Sequence, residues 1–382
     1  MFARPFDETH NLFRDAFRSF VEKEVSPHVE EFERARRIDK DLFLRAGASG
    51  FLGMTVPTEY GGGGEADFRF SVVMVEEFCR AQVGSTAGAI TLHNDTIIPY
   101  FLKATTEEQR QRWLPGICSG ETMTAIAMTE PGTGSDLANI TTRAERRGDS
   151  YVLNGTKTFI TNGINADLIV VACKTDPSQR HRGISLLVVE SGMPGFTRGR
   201  QLEKIGQHAQ DTCELIFDNV EVPVENLLGE ENSGFTQLVG NLPKERLSLA
   251  VQAVAHATSV FEMTLQYCKE RKAFGQPIGS FQNSKFKFAE MKTEIHLGQT
   301  FVDQQVLALN AGELTAEDAA EAKWWCTEMN WRVLDTCLQL HGGYGYMEEY
   351  PIARAWRDGR VPTIYGGTTE IMKEIVGRSL GL

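Results

Sequence analysis

Five short strings in this 382-residue chain carry residue types that could do chemistry. The first is Leu242–Ala250, Leu-Pro-Lys-Glu-Arg-Leu-Ser-Leu-Ala. It holds a carboxylate, Glu245, that would serve as a general base if it faced a substrate. Leu247, Val251, Val254, Thr258, Phe261 and Leu265 recur at steps of four and three, which predicts one buried helical seam. Glu245 lies two residues before Leu247, so at roughly 100° per residue it points well away from that seam. On this segment alone, an acidic residue in a first helical turn after Pro243, favoured by the helix dipole, is the plainer explanation. The second string is Met128-Thr129-Glu130-Pro131-Gly132-Thr133-Gly134-Ser135-Asp136. Its glycines let a backbone approach a flat or phosphorylated ligand, and it also reads as an ordinary polar turn. In the third, Phe159-Ile160-Thr161-Asn162-Gly163, strand alternation places an aromatic ring and a hydroxyl on one side. Arg271-Lys272-Ala273-Phe274-Gly275 and Gln339-Leu340-His341-Gly342-Gly343-Tyr344-Gly345-Tyr346 close two helices. They fit C-terminal capping, and the arginine also fits a grip on pyrophosphate.

The elements that must position these strings fall into three blocks. Residues 1–120 show helical stripes such as Leu12, Phe13, Phe17, Phe20 and Val21. From Thr122 the pattern turns to strands, with Asn154-Gly155 a hairpin signal between Tyr151–Leu153 and Lys157–Thr161. Strands that follow strands predict an antiparallel barrel or sandwich over 121–232 and exclude a Rossmann sheet. Over 233–382 the helical period returns, in Phe235–Arg271, Phe281–Leu309, Ala316–His341 and Thr368–Val376, the pattern of a four-helix bundle. The fold class expected is α+β multidomain.

Bulk composition narrows the function. The net charge of −12 argues against a nucleic-acid surface. With 41% hydrophobic and 24% charged residues, the chain reads as globular. No run approaches the roughly 20 apolar residues of a membrane helix. The opening residues Met1–Glu8 have neither a signal-peptide core nor the Arg/Ser-rich character of a transit peptide, so a bacterial cytoplasm is the expected location. Seven scattered cysteines without Cys-x-x-Cys predict reduced core thiols rather than disulfides or a metal site.

Taken in order, Val56-Pro57-x-x-Tyr60-Gly61-Gly62, Ala127–Gly132, Asn154-Gly155-x-Lys157, Arg271–Gly275, His341–Gly345 and Tyr365-Gly366-Gly367-Thr368 resemble the acyl-CoA dehydrogenase family. The likeness spans essentially the whole chain. It implies one FAD per subunit, a homotetramer, an acyl-CoA substrate and reoxidation by an electron-transferring flavoprotein. Residue by residue, it implies Met128, Thr129, Gly134 and Ser135 along the flavin and its phosphates, and Phe159 and Thr161 against its ring. Arg271, Phe274, Gln282 and Gln339, Leu340, His341, Gly342 and Gly343 would hold the ADP half across a subunit interface. Thr368 and Glu370 would lie at the adenine end. Ser135, Pro243, Lys244, Arg246, Tyr365, Gly366 and Gly367 would contact the acyl-CoA.

The base is where the chain departs from many members, which carry a glutamate at the place of Gly366. In the long-chain and isovaleryl branches it precedes Arg-Leu in the first bundle helix, and Glu245-Arg246-Leu247 is similar. The resemblance then implies that Glu245 takes the pro-R α-proton while the β-hydride passes to flavin N5, giving a trans-2-enoyl-CoA in fatty-acid oxidation. A flavin ribityl hydroxyl and the main-chain N–H at Gly366 would polarise the thioester carbonyl. Burial should lift the Glu245 pKa from ~4.3 toward ~6–7. The long-chain branch is the nearest likeness. An isovaleryl or other branched-chain dehydrogenase, a dehydrogenase of another acyl thioester, and a flavin-free scaffold subunit are the alternatives.

Overall fold

The computed structural model describes residues 4–382. Its N-terminal region is helical: α1 (Glu8–Phe20), α2 (Val29–Ala35), α3 (Lys40–Ala48), α4 (Arg69–Arg80), α5 (Gly84–Thr91), α6 (Ile98–Ala104) and α7 (Glu107–Ser119). Local chemistry sets the helix ends. The Asp7 carboxylate accepts from the N–H groups of Thr9 and His10, and Thr106 and Gln109 form a capping box before α7. Phe17, at the centre of this region, is fully buried, with the rings of Phe51 and Phe78 edge-on to it.

The middle region is β1 (Thr124–Ala127), β2 (Arg143–Arg147), β3 (Ser150–Thr161), β4 (Leu168–Lys174), β5 (Ile184–Glu190), β6 (Phe196–Gln201), β7 (Thr212–Pro223) and β8 (Leu227–Leu228). They form one eight-stranded sheet in the order β6-β7-β3-β2-β4-β5-β8, with β1 beside β4. The sheet is mixed rather than wholly antiparallel, because β1 runs parallel to β4 and β2 touches β4 in parallel at Arg143–Lys174. Parallel neighbours need a long crossover, and here β2 and β3 themselves supply it, so the strand-after-strand pattern conceals it. β4 and β5 are buried on both faces. Leu168, Val170, Leu186 and Val188 pack toward Tyr100, Phe101 and Trp113, while Ile169, Val171, Leu187 and Val189 pack toward β3 and β7.

The C-terminal region is α8 (Gly234–Glu270), α9 (Gln282–Ala311), α10 (Ala316–His341), α11 (Pro351–Asp358) and α12 (Thr369–Ser379). Leu247, Val251 and Val254 of the predicted seam are buried against α10 residues such as Cys326, Met329 and Val333. The expected helical block Phe235–Arg271 is α8, which starts at Gly234 and runs through Pro243, so the reading of Glu245 as a first-turn residue after Pro243 fails. Proline removes a helical N–H and normally breaks the helix. Burial of Leu238 and Asn241 before it and of Leu247 after it holds the helix together. The dipole of a first turn therefore does not explain Glu245.

Candidate active site

Glu245 projects from α8 toward the N-terminal helices and is only 8% exposed. Its Oε1 accepts a hydrogen bond of 3.1 Å from the hydroxyl of Tyr100, a fully buried residue of α6. Burial pushes the Glu245 carboxyl up to about 7, against the lowering effects of the Tyr100 hydroxyl and the charges of Arg246, Lys244 and Lys103. A buried carboxyl titrating near neutrality, with one hydroxyl to orient it, suits a general base. Upstream, Lys103 Nζ donates to Asn241 Oδ1 at 2.6 Å and ties α6 to α8. Lys244 lies over the Phe68 ring, 5.4 Å from its centroid, and Asp95 is the acidic charge that faces it. Ser71 Oγ donates to Asp95 Oδ1 at 2.7 Å.

The Tyr365–Thr368 loop meets the same turn of α8 at Arg246 and Leu249. Gly366 and Gly367 have φ of +64° and +95°, a region open to glycine and costly for other residues. A Cβ on Gly366 would stand 2.5 Å from Leu249 Cδ1, one helical turn from Glu245. The carbonyls of this loop face two cations. Arg246 Nε lies 3.5 Å from Gly366 O, and Lys323 Nζ of α10 donates to Gly367 O at 2.6 Å. Lys323 is fully buried. Burial, with help from the nearby Arg246 charge, lowers its pKa to about 8. Beyond the loop, Thr368 caps α12 by accepting from Ile371 N, and Glu370 is exposed in the first turn.

In the β-region, Phe159 is 68% exposed, and the two consecutive residues before it, Lys157 and Thr158, are both buried. A one-residue bulge between Lys157 and Ile160 breaks the regular alternation, and Phe159 sits at its apex with φ +59°. Met128 and Thr129 are half-buried beside it, where Thr158 N donates to Thr129 O at 3.0 Å. Gly134 and Ser135 are exposed, and Thr161 is half-buried. Ser135 lines a cleft of about 540 Å³ whose cations are Arg180 and Arg378, between the β-region loops, Phe235 and α12.

A second cleft, of about 490 Å³, brings together Arg271, Gln339, Leu340, His341, Gly342 and Gly343. Tyr267 floors it by stacking on His341 with centroids 4.2 Å apart, and Arg271 lies over Tyr344.

Models of the acyl-CoA dehydrogenase N-terminal, middle and C-terminal domains match residues 7–121, 125–220 and 232–381. The chain belongs to the acyl-CoA dehydrogenase family. It is similar to a long-chain specific acyl-CoA dehydrogenase of Mus musculus, 43% identical over 99% of this chain and 87% of that protein. It is similar to an isovaleryl-CoA dehydrogenase of Solanum tuberosum, 36% identical over 98% and 91%. A solved acyl-CoA dehydrogenase from Geobacillus kaustophilus shares 54% identity and a TM-score of 0.97 over the full length of both chains. A solved glutaryl-CoA dehydrogenase from Mycobacterium smegmatis, 27% identical with a TM-score of 0.91 over 98% of this chain and 95% of that one, is in complex with FADH2.

Against this acyl-CoA dehydrogenase frame, the structure gathers Glu245, Arg246, Leu249 and the Gly366–Gly367 loop at one site. It gathers the helix-end set at a separate cleft whose lining residues all come from the bundle region. Phe274, 96% exposed, and Gln282, also exposed, stand outside that lining, as do Thr368 and Glu370. Among the described residues no group of acidic, histidine and cysteine side chains could hold a metal, and all seven cysteines are free and buried. No helix among them is long and apolar enough to cross a membrane. Sequence reasoning missed Tyr100 and Lys323. Lys323 had a signal: it interrupts the buried α10 stripe Ala319, Ala322, Cys326, Met329, Val333, where a bare lysine needs a partner. Tyr100, in the apolar run Ile97–Phe101, had none.

Proposed function

We propose that this enzyme removes the α-proton and β-hydride of a long straight-chain acyl-CoA, with Glu245 as the base. The observation that carries the reading is the buried Glu245 carboxyl, pushed up to about 7 and hydrogen-bonded by Tyr100, on the turn of α8 whose Arg246 and Leu249 meet the Gly366 loop. Glu245 accepts the α-proton and becomes a carboxylic acid. The hydride carries two electrons from the β-carbon, and the product is the 2-enoyl thioester. Bound FAD supplies the hydride acceptor. The main-chain N–H of Gly366 polarises the thioester carbonyl, and Arg246 and Lys323 fix the loop that presents it.

The chain's residues fit FAD in two places. The exposed Phe159 ring, with the half-buried Met128 and Thr129 beside it, offers a flat face to the ring system. Arg271 and the Gln339–Gly343 backbone offer a cation and amides to the pyrophosphate end. The bundle cleft draws no residue from the β-region, so we assign the ADP half to a neighbouring subunit's cleft in a homotetramer. Exposed apolar side chains on and beside α9, Phe274, Phe286 and Leu297, support that association. We assign the phosphates of CoA to the Ser135 cleft, where they would take Arg180 and Arg378 from their present carboxylate partners Asp136 and Glu374. An electron-transferring flavoprotein is the proposed acceptor of the electrons. The long-chain assignment rests on the 43% identity to the mouse enzyme.

A panel of short, long and branched acyl-CoAs, added anaerobically to the yellow holoenzyme, tests this through bleaching of the flavin band. Fastest bleaching by long straight chains is expected. A colourless protein that cannot be reconstituted with FAD overturns the reading, and fastest bleaching by isovaleryl-CoA moves it to the branched-chain class. In a Glu245→Gly background, Gly366→Glu should restore measurable bleaching, and Leu249→Ala should improve it by relieving the 2.5 Å approach.

A further inference from the structure

Lys157 is fully buried within β3, and its Nζ donates to Met128 O at 2.8 Å and to Glu130 Oε1 at 2.9 Å. Glu130, 4% exposed, spends its remaining capacity on the next turn of chain. Its Oε2 accepts from Thr141 N and Thr141 Oγ1, both at 2.6 Å, and its Oε1 accepts from Thr142 N at 2.9 Å. One buried ion pair thus clamps three segments: the end of β1 at Met128, the turn returning at Thr141–Thr142, and β3 at Lys157.

The clamp adjoins the strained residue. Two positions after Lys157, Phe159 holds a left-handed backbone at the bulge apex, and its ring faces outward. That backbone is unfavourable for an aromatic L-residue and persists only where its surroundings over-determine it. The structure shows what determines it. Lys157 is tied below Met128, Thr158 N is bonded to Thr129 O, and Asn162 Nδ2 is bonded to Ala89 O and Thr124 O on the far side. With both flanks fixed, the odd residue between them can only turn out.

We infer that the Glu130–Lys157 pair is a positioning device for the flavin: it holds the bulge that turns Phe159 outward and fixes the Met128 and Thr129 backbone beside it. Neither charge touches the reacting atoms. This inference rests on the reading of Phe159 as a flavin contact. A pair with a purely structural role would stabilise the sheet and leave flavin affinity untouched once stability is restored.

The test uses the full-length protein in Glu130→Gln, Lys157→Met and the double variant Glu130→Leu/Lys157→Met. Replacing both charges with apolar groups of similar volume leaves no buried charge unpaired but takes the acceptor from the Thr141 and Thr142 N–H groups, so the double variant should regain only part of the Tm that the single variants lose. Three quantities are read: Tm, FAD dissociation constant on reconstitution, and amide exchange of residues 156–162 in flavin-stripped protein. In the double variant we expect a Tm above that of the single variants, exchange at 156–162 faster by tenfold or more, and FAD binding weaker by tenfold or more. Wild-type exchange and affinity in the double variant would overturn the inference and leave the flavin reading intact. Wild-type protein that takes up no FAD would overturn the flavin reading, and the exchange measurement would still decide whether the pair holds the bulge.

Discussion

Glu130 and Glu245 are both buried carboxylates, and their surroundings push them in opposite directions. At Glu130 burial works against ionisation, but the Lys157 charge and the Thr141 hydrogen bonds outweigh it and hold the carboxyl at about 2. At Glu245 burial wins and the carboxyl rises to about 7. The number of donors makes the difference, and secondary structure sets that number. Glu130 belongs to a turn, where the N–H groups of Thr141 and Thr142 are free to point at it. Glu245 lies inside α8, where main-chain N–H groups are consumed by the helix's own ladder, so a single side-chain hydroxyl from α6 reaches it. A turn makes an anchored anion, and a helix interior leaves a carboxylate poised to gain and lose a proton.

The same substitution at the two sites should therefore do different things. Glu245→Gln should cut flavin bleaching by acyl-CoA by on the order of a hundred- to ten-thousandfold, while FAD and acyl-CoA still bind. Anaerobic stopped-flow absorbance reads both. Near-normal bleaching would place the base elsewhere and erase the contrast.

Stability should respond to pH with opposite sign at the two carboxylates. Glu245 has a folded pKa above its unfolded value near 4.5, so ionising it opposes folding. That penalty is absent below pH 4.5, grows through pH 7, and reaches roughly 3 kcal/mol. Relative to wild type, Glu245→Gln should thus gain stability as pH rises from 4.5 to 7 and keep that gain above 7. Glu130 has a folded pKa below its unfolded value, so its roughly 3 kcal/mol of stability is present above pH 4.5 and lost as pH falls toward 2. Glu130→Gln should be less stable than wild type at pH 7, by a margin that narrows in acid. Urea unfolding midpoints between pH 2 and 8 decide it. Parallel rather than diverging pH trends for the two variants would mean that the donor count does not control the pair.

Much of this architecture is readable in the chain itself, and the gaps have physical reasons. The helical regions follow from 3.6-residue periodicity, and Ala316–His341 has the same ends in sequence and structure. Glu245 stood out because it left the Leu247–Val254 seam. Pro243 suggested a first turn at Glu245, but the helical period from Phe235 runs through it, and tertiary burial of Leu238 and Asn241 overrides the local break. The parallel β1–β4 pair was hidden because nothing local records which strand a crossover returns to. The Phe159 bulge was hidden because alternation in Lys157–Thr161 looks regular until the Glu130 clamp, 27 residues upstream, is in place. Lys157 and Glu130 were each visible, but their pairing is a property of the fold.

Tyr100 offers the finest adjustment of the contrast between the two carboxylates. Its hydroxyl is the one hydrogen bond that lowers the Glu245 pKa against burial. Tyr100→Phe removes that donor and leaves the ring's packing among Ile97, Phe101 and Trp113. A hydrogen bond to a charged group contributes about 1.5–3 kcal/mol, and part of that is recovered by the nearby Lys103, Lys244 and Arg246 charges, so the Glu245 pKa should rise by about one unit. Because the base must be ionised to act, the acid limb of the pH dependence of kcat/KM should move up by the same amount, with the plateau at high pH little changed. An unmoved acid limb would mean that burial and the cations set the Glu245 pKa without Tyr100. Loss of the plateau would instead show that Tyr100 aims the carboxylate at the α-carbon, a geometric role rather than an electrostatic one.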